Sequence, residues 1–117
     1  MKNIVYVFVL VLACNSTLFA QQVEATIGKV ILLRLSDVGD KYGPSGDKID
    51  AEVIMKIDSK PDNAFGFQLR KDSNELTHTA MFEMLQYAYA NNVNVRIEYT
   101  RLAGKKNFIL FRVILQR

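Results

Sequence analysis

Cysteine is all but missing. The 117-residue chain has one, Cys14, and it falls in an N-terminal stretch that reads as a leader. A domain without cysteine can form no internal disulfide and no cysteine metal site, so packing alone must hold it together. Histidine is as scarce, with His78 alone, and no phosphate-binding glycine loop occurs. These scarcities remove the usual sets of nucleophile, acid and base, so neither an enzyme nor a cofactor is expected. There is also no large surplus of one charge: 15 basic residues stand against 12 acidic ones. A nucleic-acid partner, which needs a basic stripe to neutralise phosphates, is therefore not expected. Finally, the apolar run from Ile4 to Ala13 is shorter than the roughly 20 residues that a membrane-spanning helix needs.

That run does fit a secretory signal peptide over residues 1–20, with a basic start at Lys2 and a small residue, Ala20, before the cut. Val11-Leu12-Ala13-Cys14 offers a second reading, since it resembles a lipoprotein processing box in which Cys14 would carry a lipid anchor. Without its first 20 residues the chain keeps 97, residues 21–117, and 14 basic residues against 12 acidic. About half of all residues are apolar, as befits one small globular domain.

The remaining chain alternates between two periods. Residues 23–35 are rich in β-branched and aliphatic side chains and predict a long first strand, apolar on both faces near its middle and so covered on both sides. Gly28 predicts a bulge or a close backbone approach. SDVGDKYGPSGDK, residues 36–48, is turn chemistry throughout and predicts a long loop. Its carboxylates Asp37, Asp40 and Asp47 do not follow EF-hand spacing, and are expected to be solvated rather than to hold a metal. Ile49, Ala51, Val53, Met55 and Ile57 alternate with mostly polar residues, predicting a second strand with one face inward and one mostly wet. After the turn Ser59 to Asn63, a third strand over 64–70 completes a hairpin, with Phe65, Phe67 and Leu69 on one face.

TAMFEMLQYAYANN, residues 79–92, then changes period. Met81, Phe82, Met84, Leu85, Ala88 and Tyr89 recur at the spacing of a helix with one buried stripe. Thr77 or Thr79 is the expected N-cap, and Asn91 or Asn92 the left-handed stop. His78 is expected to be a partly exposed residue of the capping region. A fourth strand over 93–100 and a fifth over 107–116 follow, the fifth with Ile109, Phe111, Val113 and Leu115 inward. The fold class expected is mainly β with one α-helix: a five-stranded OB-fold barrel with its helix between strands 3 and 4.

The run Met81-Phe82-x-x-Leu85-x-x-Ala88-Tyr89-x-Asn91-Asn92-x-x-Val95-Arg96-Ile97-x-Tyr99 resembles the helix and following strand of the subtilase cytotoxin B subunit-like family. The resemblance implies an exported OB-fold protein, ring assembly around the helix, and binding of sialylated glycans. Two departures stand against carrying over the toxin's sugar site. The domain lacks the family's cysteines, and Ile27 stands where a sugar-binding serine would precede Gly28.

Ligands of OB barrels usually lie on the face of strands two and three, between the loops joining strands 1–2 and 4–5. Those loops contribute Asp40, Lys41, Tyr42, Arg101, Lys105 and Lys106. Tyr42 is the first candidate, because a tyrosine stacks on a sugar ring while polar neighbours fix its hydroxyls. The alternative is a self-assembling or partner-binding exported protein without a small ligand. It draws on Tyr87 and Ala90, off the helix stripe, and on the apolar end Val113-Ile114-Leu115.

Overall fold

The computed structural model describes residues 22–117. The leader reading and the Cys14 anchor lie outside the described residues. Five strands and one helix follow in the order β1 (Val23–Leu35), β2 (Val53–Ile57), β3 (Phe65–Phe67), α1 (Glu75–Asn91), β4 (Asn94–Arg101) and β5 (Phe108–Ile114). Every strand has two neighbours, in the cyclic order 1-2-3-5-4, so the sheet closes on itself. All pairings are antiparallel except the short parallel seam between β3 and β5, where Phe65 faces Phe108 and Gly66 faces Ile109. Among the described residues no helix is long and apolar enough to cross a membrane.

The main core lies inside this ring. It takes Val30 from β1, Val53, Met55 and Ile57 from β2, Phe65 and Phe67 from β3, Val95, Ile97 and Tyr99 from β4, and Phe108, Leu110 and Val113 from β5. The helix adds Met81, Leu85 and Ala88. Three rings knit the far strands together: Phe65 lies 4.7 Å from Tyr99 and 5.2 Å from Phe108, and Tyr99 lies 4.7 Å from Phe108.

Tyr99 also couples this core to pH. Burial, aided by the negative charge of Glu24, pushes its hydroxyl above the ordinary value, while Arg101 pulls the other way. The unfolded chain gives up that proton near pH ~10 while the folded domain still holds it. Stability is thus intact below about pH 10 and falls as the pH rises through the folded-state value. Circular dichroism during alkaline titration should show this fall, and Tyr99→Phe should flatten it; identical profiles would refute the coupling.

Several strand faces differ from expectation, for one recurring reason. In β1 the pairing passes from Val30 opposite Ile57 to Leu32 opposite Lys56, leaving Ile31 as an extra residue. This bulge turns the strand over, so its middle is apolar on both faces without being covered on both. Ile31 is 49% exposed and Ile27 44%. In β5 the partners run from Arg112 opposite Glu98 to Leu110 opposite Tyr99, leaving Phe111 extra. Phe108, Leu110 and Val113 are therefore the buried set; of the expected Ile109, Phe111, Val113 and Leu115, only Val113, which precedes no bulge on its way to the strand end, is buried. A bulge shifts the inward phase by one residue, which strict alternation cannot foresee.

The second strand departs most. Its ladder begins only at Val53, and the preceding Ile49 and Ala51 fold across the opposite face to pack on Ile54 and Ala64. That face is not wet: Glu52 is 1% exposed and Ile54 fully buried. Gly66 makes the close layering feasible, since a Cβ there would sit 2.9 Å from Ala51, Ile49 and Ile54 side-chain carbons. At Gly28 the expected close approach is made by the Asp58 carboxylate, whose Oδ1 would clash with an added Cβ and accepts the Lys29 N–H at 2.9 Å.

The helix starts at Glu75, earlier than the threonines suggest, and its cap Asn74 makes no side-chain capping bond. The Asn74 N–H instead donates to Asp72 Oδ1 at 2.8 Å, so a turn centred on the aspartate sets the first helical residue. Asn92 ends the helix in the left-handed region, φ 52°, its N–H donating to Ala88 and Tyr89 carbonyls. Tyr89, expected in the buried stripe, is exposed.

Candidate functional site

The two loops expected to carry a ligand meet at one cleft. Residues 36–52 join β1 to β2, and residues 102–107 join β4 to β5. Within the first, Tyr42 and Ile49 exchange backbone hydrogen bonds of 3.0 and 2.8 Å, which turns SDVGDKYGPSGDK into an ordered excursion. The second loop clasps it. The Lys106 N–H donates to Asp47 Oδ1 at 2.9 Å, Lys105 Nζ donates to the Lys48 carbonyl at 3.0 Å, and Asn107 Oδ1 accepts the Ala64 N–H at 2.9 Å.

These contacts frame a cleft of about 200 Å³ lined by Tyr42, Asp47, Lys56, Asp62, Lys106 and Asn107, among others. Tyr42 is half-buried against the cluster of Ile49, Ala51, Ile54 and Ala64. The Arg34 guanidinium lies 5.6 Å from the centre of its ring. Among the described residues neither Lys56 nor Lys106 is in an ion pair. The cleft thus offers two ammonium groups, two carboxylates and an aromatic ring.

Of the six residues singled out from the sequence, the structure brings together Tyr42 and Lys106 at this cleft. Asp40 is turned to Arg34, at 2.9 Å. Lys41 is exposed and lies outside the cleft lining. Lys105 is spent on the Lys48 carbonyl. Arg101 points elsewhere: its guanidinium lies 5.1 Å from the Phe108 ring centre and 3.8 Å from Glu24 Oε2, a buried oxygen without a hydrogen-bond partner. Sequence reasoning missed Lys56, Asp62 and Asn107. The outward phase of β2 hinted at Lys56, but nothing local marks Asp62, which arrives from the β2–β3 turn.

The position of residues 42–51 has a wider consequence. Ile49 and Ala51 cover the outer face of β2 and β3, packing on Ile54 and Gly66. A strand surface that could have bound an extended ligand is filled by the chain's own side chains. What stays open is the rim, where Tyr42 and Lys106 stand.

The fold defines a mainly β domain of five strands and one helix with a small mixed-charge cleft between two loops. In comparisons with family models, curated proteins and solved structures, no match is found in any of the three.

Proposed function

We propose that the chain is an exported OB-fold binding module whose ligand, a glycan, is held at the rim formed by residues 36–48 and 101–106. The observation that carries this reading is the convergence of Tyr42 and Lys106, 64 positions apart in the numbering, on one cleft with Lys56, Asp47 and Asp62. The closed strand order 1-2-3-5-4, with a helix between β3 and β4, supports an OB barrel. Export rests on the leader-like composition of residues 1–20.

A glycan array probed with the mature protein should give a sugar-specific signal. Tyr42→Ala should weaken it about tenfold, the size of one aromatic contact near 1.4 kcal/mol. A blank array, or an unchanged signal in the variant, would remove the reading.

A second reading, self-assembly, is favoured by a specific feature. The outward side of β1 leaves Val23, Ile27 and Ile31 exposed, and Tyr87, Val93 and Leu115 line a further cleft of about 440 Å³. A contiguous exposed apolar patch is a mark of an interaction surface. Native mass spectrometry should then show a discrete oligomer that Ile27→Lys converts to monomer. A wild-type monomer at high micromolar concentration would argue against assembly.

A further inference from the structure

A different cleft, of about 300 Å³, opens where β3, β5 and the first turns of α1 meet. It is lined by Asp50, Phe67, Gln68, Asn74, His78 and Phe111, with Ile109 and Leu110 behind. Its volume lies at the small end of ligand pockets, enough for a single ring.

The polar groups here divide into a scaffold and a set left unspent. Gln68 belongs to the scaffold: its side-chain amide donates to the Asp50 carbonyl at 3.1 Å, and its own carbonyl bonds His78 Nδ1. A carbonyl can only accept, so Nδ1 carries the proton and a neutral His78 ring presents Nε2 as an acceptor. The Phe67 ring, 5.3 Å away and edge-on at 63°, holds the imidazole in place. Asp50 Oδ1 accepts from Arg70 Nη2 at 2.6 Å, which leaves Oδ2 free of any partner among the described residues. The Asn74 side chain makes no capping bond. One wall is the partly exposed Phe111 ring, steadied by the Arg112 guanidinium at 5.4 Å.

We infer that this cleft is a second binding site, for an uncharged, hydroxyl-rich ring compound such as a hexose. Two acceptors, Asp50 Oδ2 and His78 Nε2, suit hydroxyl donors, and the Asn74 amide can both give and take a hydrogen bond. Phe111 supplies the apolar surface on which the C–H face of a sugar packs. Arg70 is shared between Asp50 and Glu52, so the polar wall stays rich in acceptors for hydroxyl donors, and no free cation among the lining residues recruits an anion. The inference is independent of the Tyr42 site.

The test is a titration of the ¹⁵N-labelled full domain with glucose, galactose, mannose and N-acetylglucosamine, with glycerol as a polyol lacking a ring face. Millimolar binding, on the order of 4 kcal/mol, is the scale expected for one ring. Saturable shifts at Asn74, His78 and Phe111 for at least one hexose are expected. Asn74→Ala and Phe111→Leu should each weaken them about fivefold or more, in spectra otherwise like the wild type. Tyr42→Ala should leave them unchanged. Shifts absent for all four sugars, reproduced by glycerol, insensitive to Asn74→Ala, or lost in Tyr42→Ala would overturn the assignment. A blank array with saturable shifts here would remove the Tyr42 reading and keep this one.

Discussion

Phe65→Ala should destabilise the domain by about 3–5 kcal/mol, the usual cost of removing a fully buried phenylalanine. That is a large share of the roughly 5–15 kcal/mol that holds a small domain folded. Phe65 is fully buried, and its ring lies against both Tyr99 and Phe108. Its backbone also forms half of the parallel seam with β5, which has only two register positions. Loss of the ring therefore removes packing at the place where the closed sheet has the fewest backbone bonds. Urea unfolding should show the loss in the midpoint. Hydrogen exchange at the Phe108 amide, which donates to the Ala64 carbonyl at 2.9 Å, should accelerate beyond that of β1 amides. A cost below about 2 kcal/mol would mean that neighbouring side chains collapse into the gap and that the rings do not hold the seam.

Arg70→Met should have a comparable effect at neutral pH, and one that fades on acidification. Glu52 is almost fully buried, yet both oxygens are satisfied. Oε1 accepts from Arg70 Nε at 2.7 Å and the Leu69 N–H at 3.2 Å, and Oε2 accepts from Arg70 Nη2 at 2.8 Å. The bonds to Glu52, and then to Asp50, hold the guanidinium protonated well above its already high range. Removing it strands a buried carboxylate, and proteins relieve such a group by protonating it. A carboxylate that binds its proton more tightly folded than unfolded adds stability as the pH falls toward about 4.3 and loses it as the pH rises. The variant should therefore be weakest at pH ~7 and recover part of the loss near pH ~5. The double variant Glu52→Leu with Arg70→Met should regain most of it, because an apolar pair of similar volume removes the desolvation penalty. A loss independent of pH would show that Arg70 acts through packing alone.

Much of the architecture was legible in local pattern. The change from period two to period 3.6 and back placed the helix between β3 and β4, and Val95, Ile97 and Tyr99 point inward as their alternation indicates. The stop at Asn92 was legible too, because asparagine is one of the few residues at ease in the left-handed region. The helix start was not. Thr77 and Thr79 have the right chemistry, but the Asp72 turn reaches Asn74 first. At the candidate site, loop composition pointed to Tyr42 and Lys106, whereas Asp40, Lys105 and Arg101 find partners in Arg34, Lys48 and Glu24 that no spacing rule discloses.

By itself, then, the sequence determined the kind and order of the elements and the need for a core held by packing alone, because these depend on neighbours within a few residues. Only the tertiary structure decided which faces of β1 and β5 turn inward, because a bulge is set by the register of the partner strand. The same holds for Glu52, whose burial is tolerable only because Arg70, 18 residues on, reaches it. It holds also for residues 42–51, which cover the outer face of β2 and β3 because Gly66 leaves room for Ile49 and Ala51. Long-range fit of this sort has no period to read.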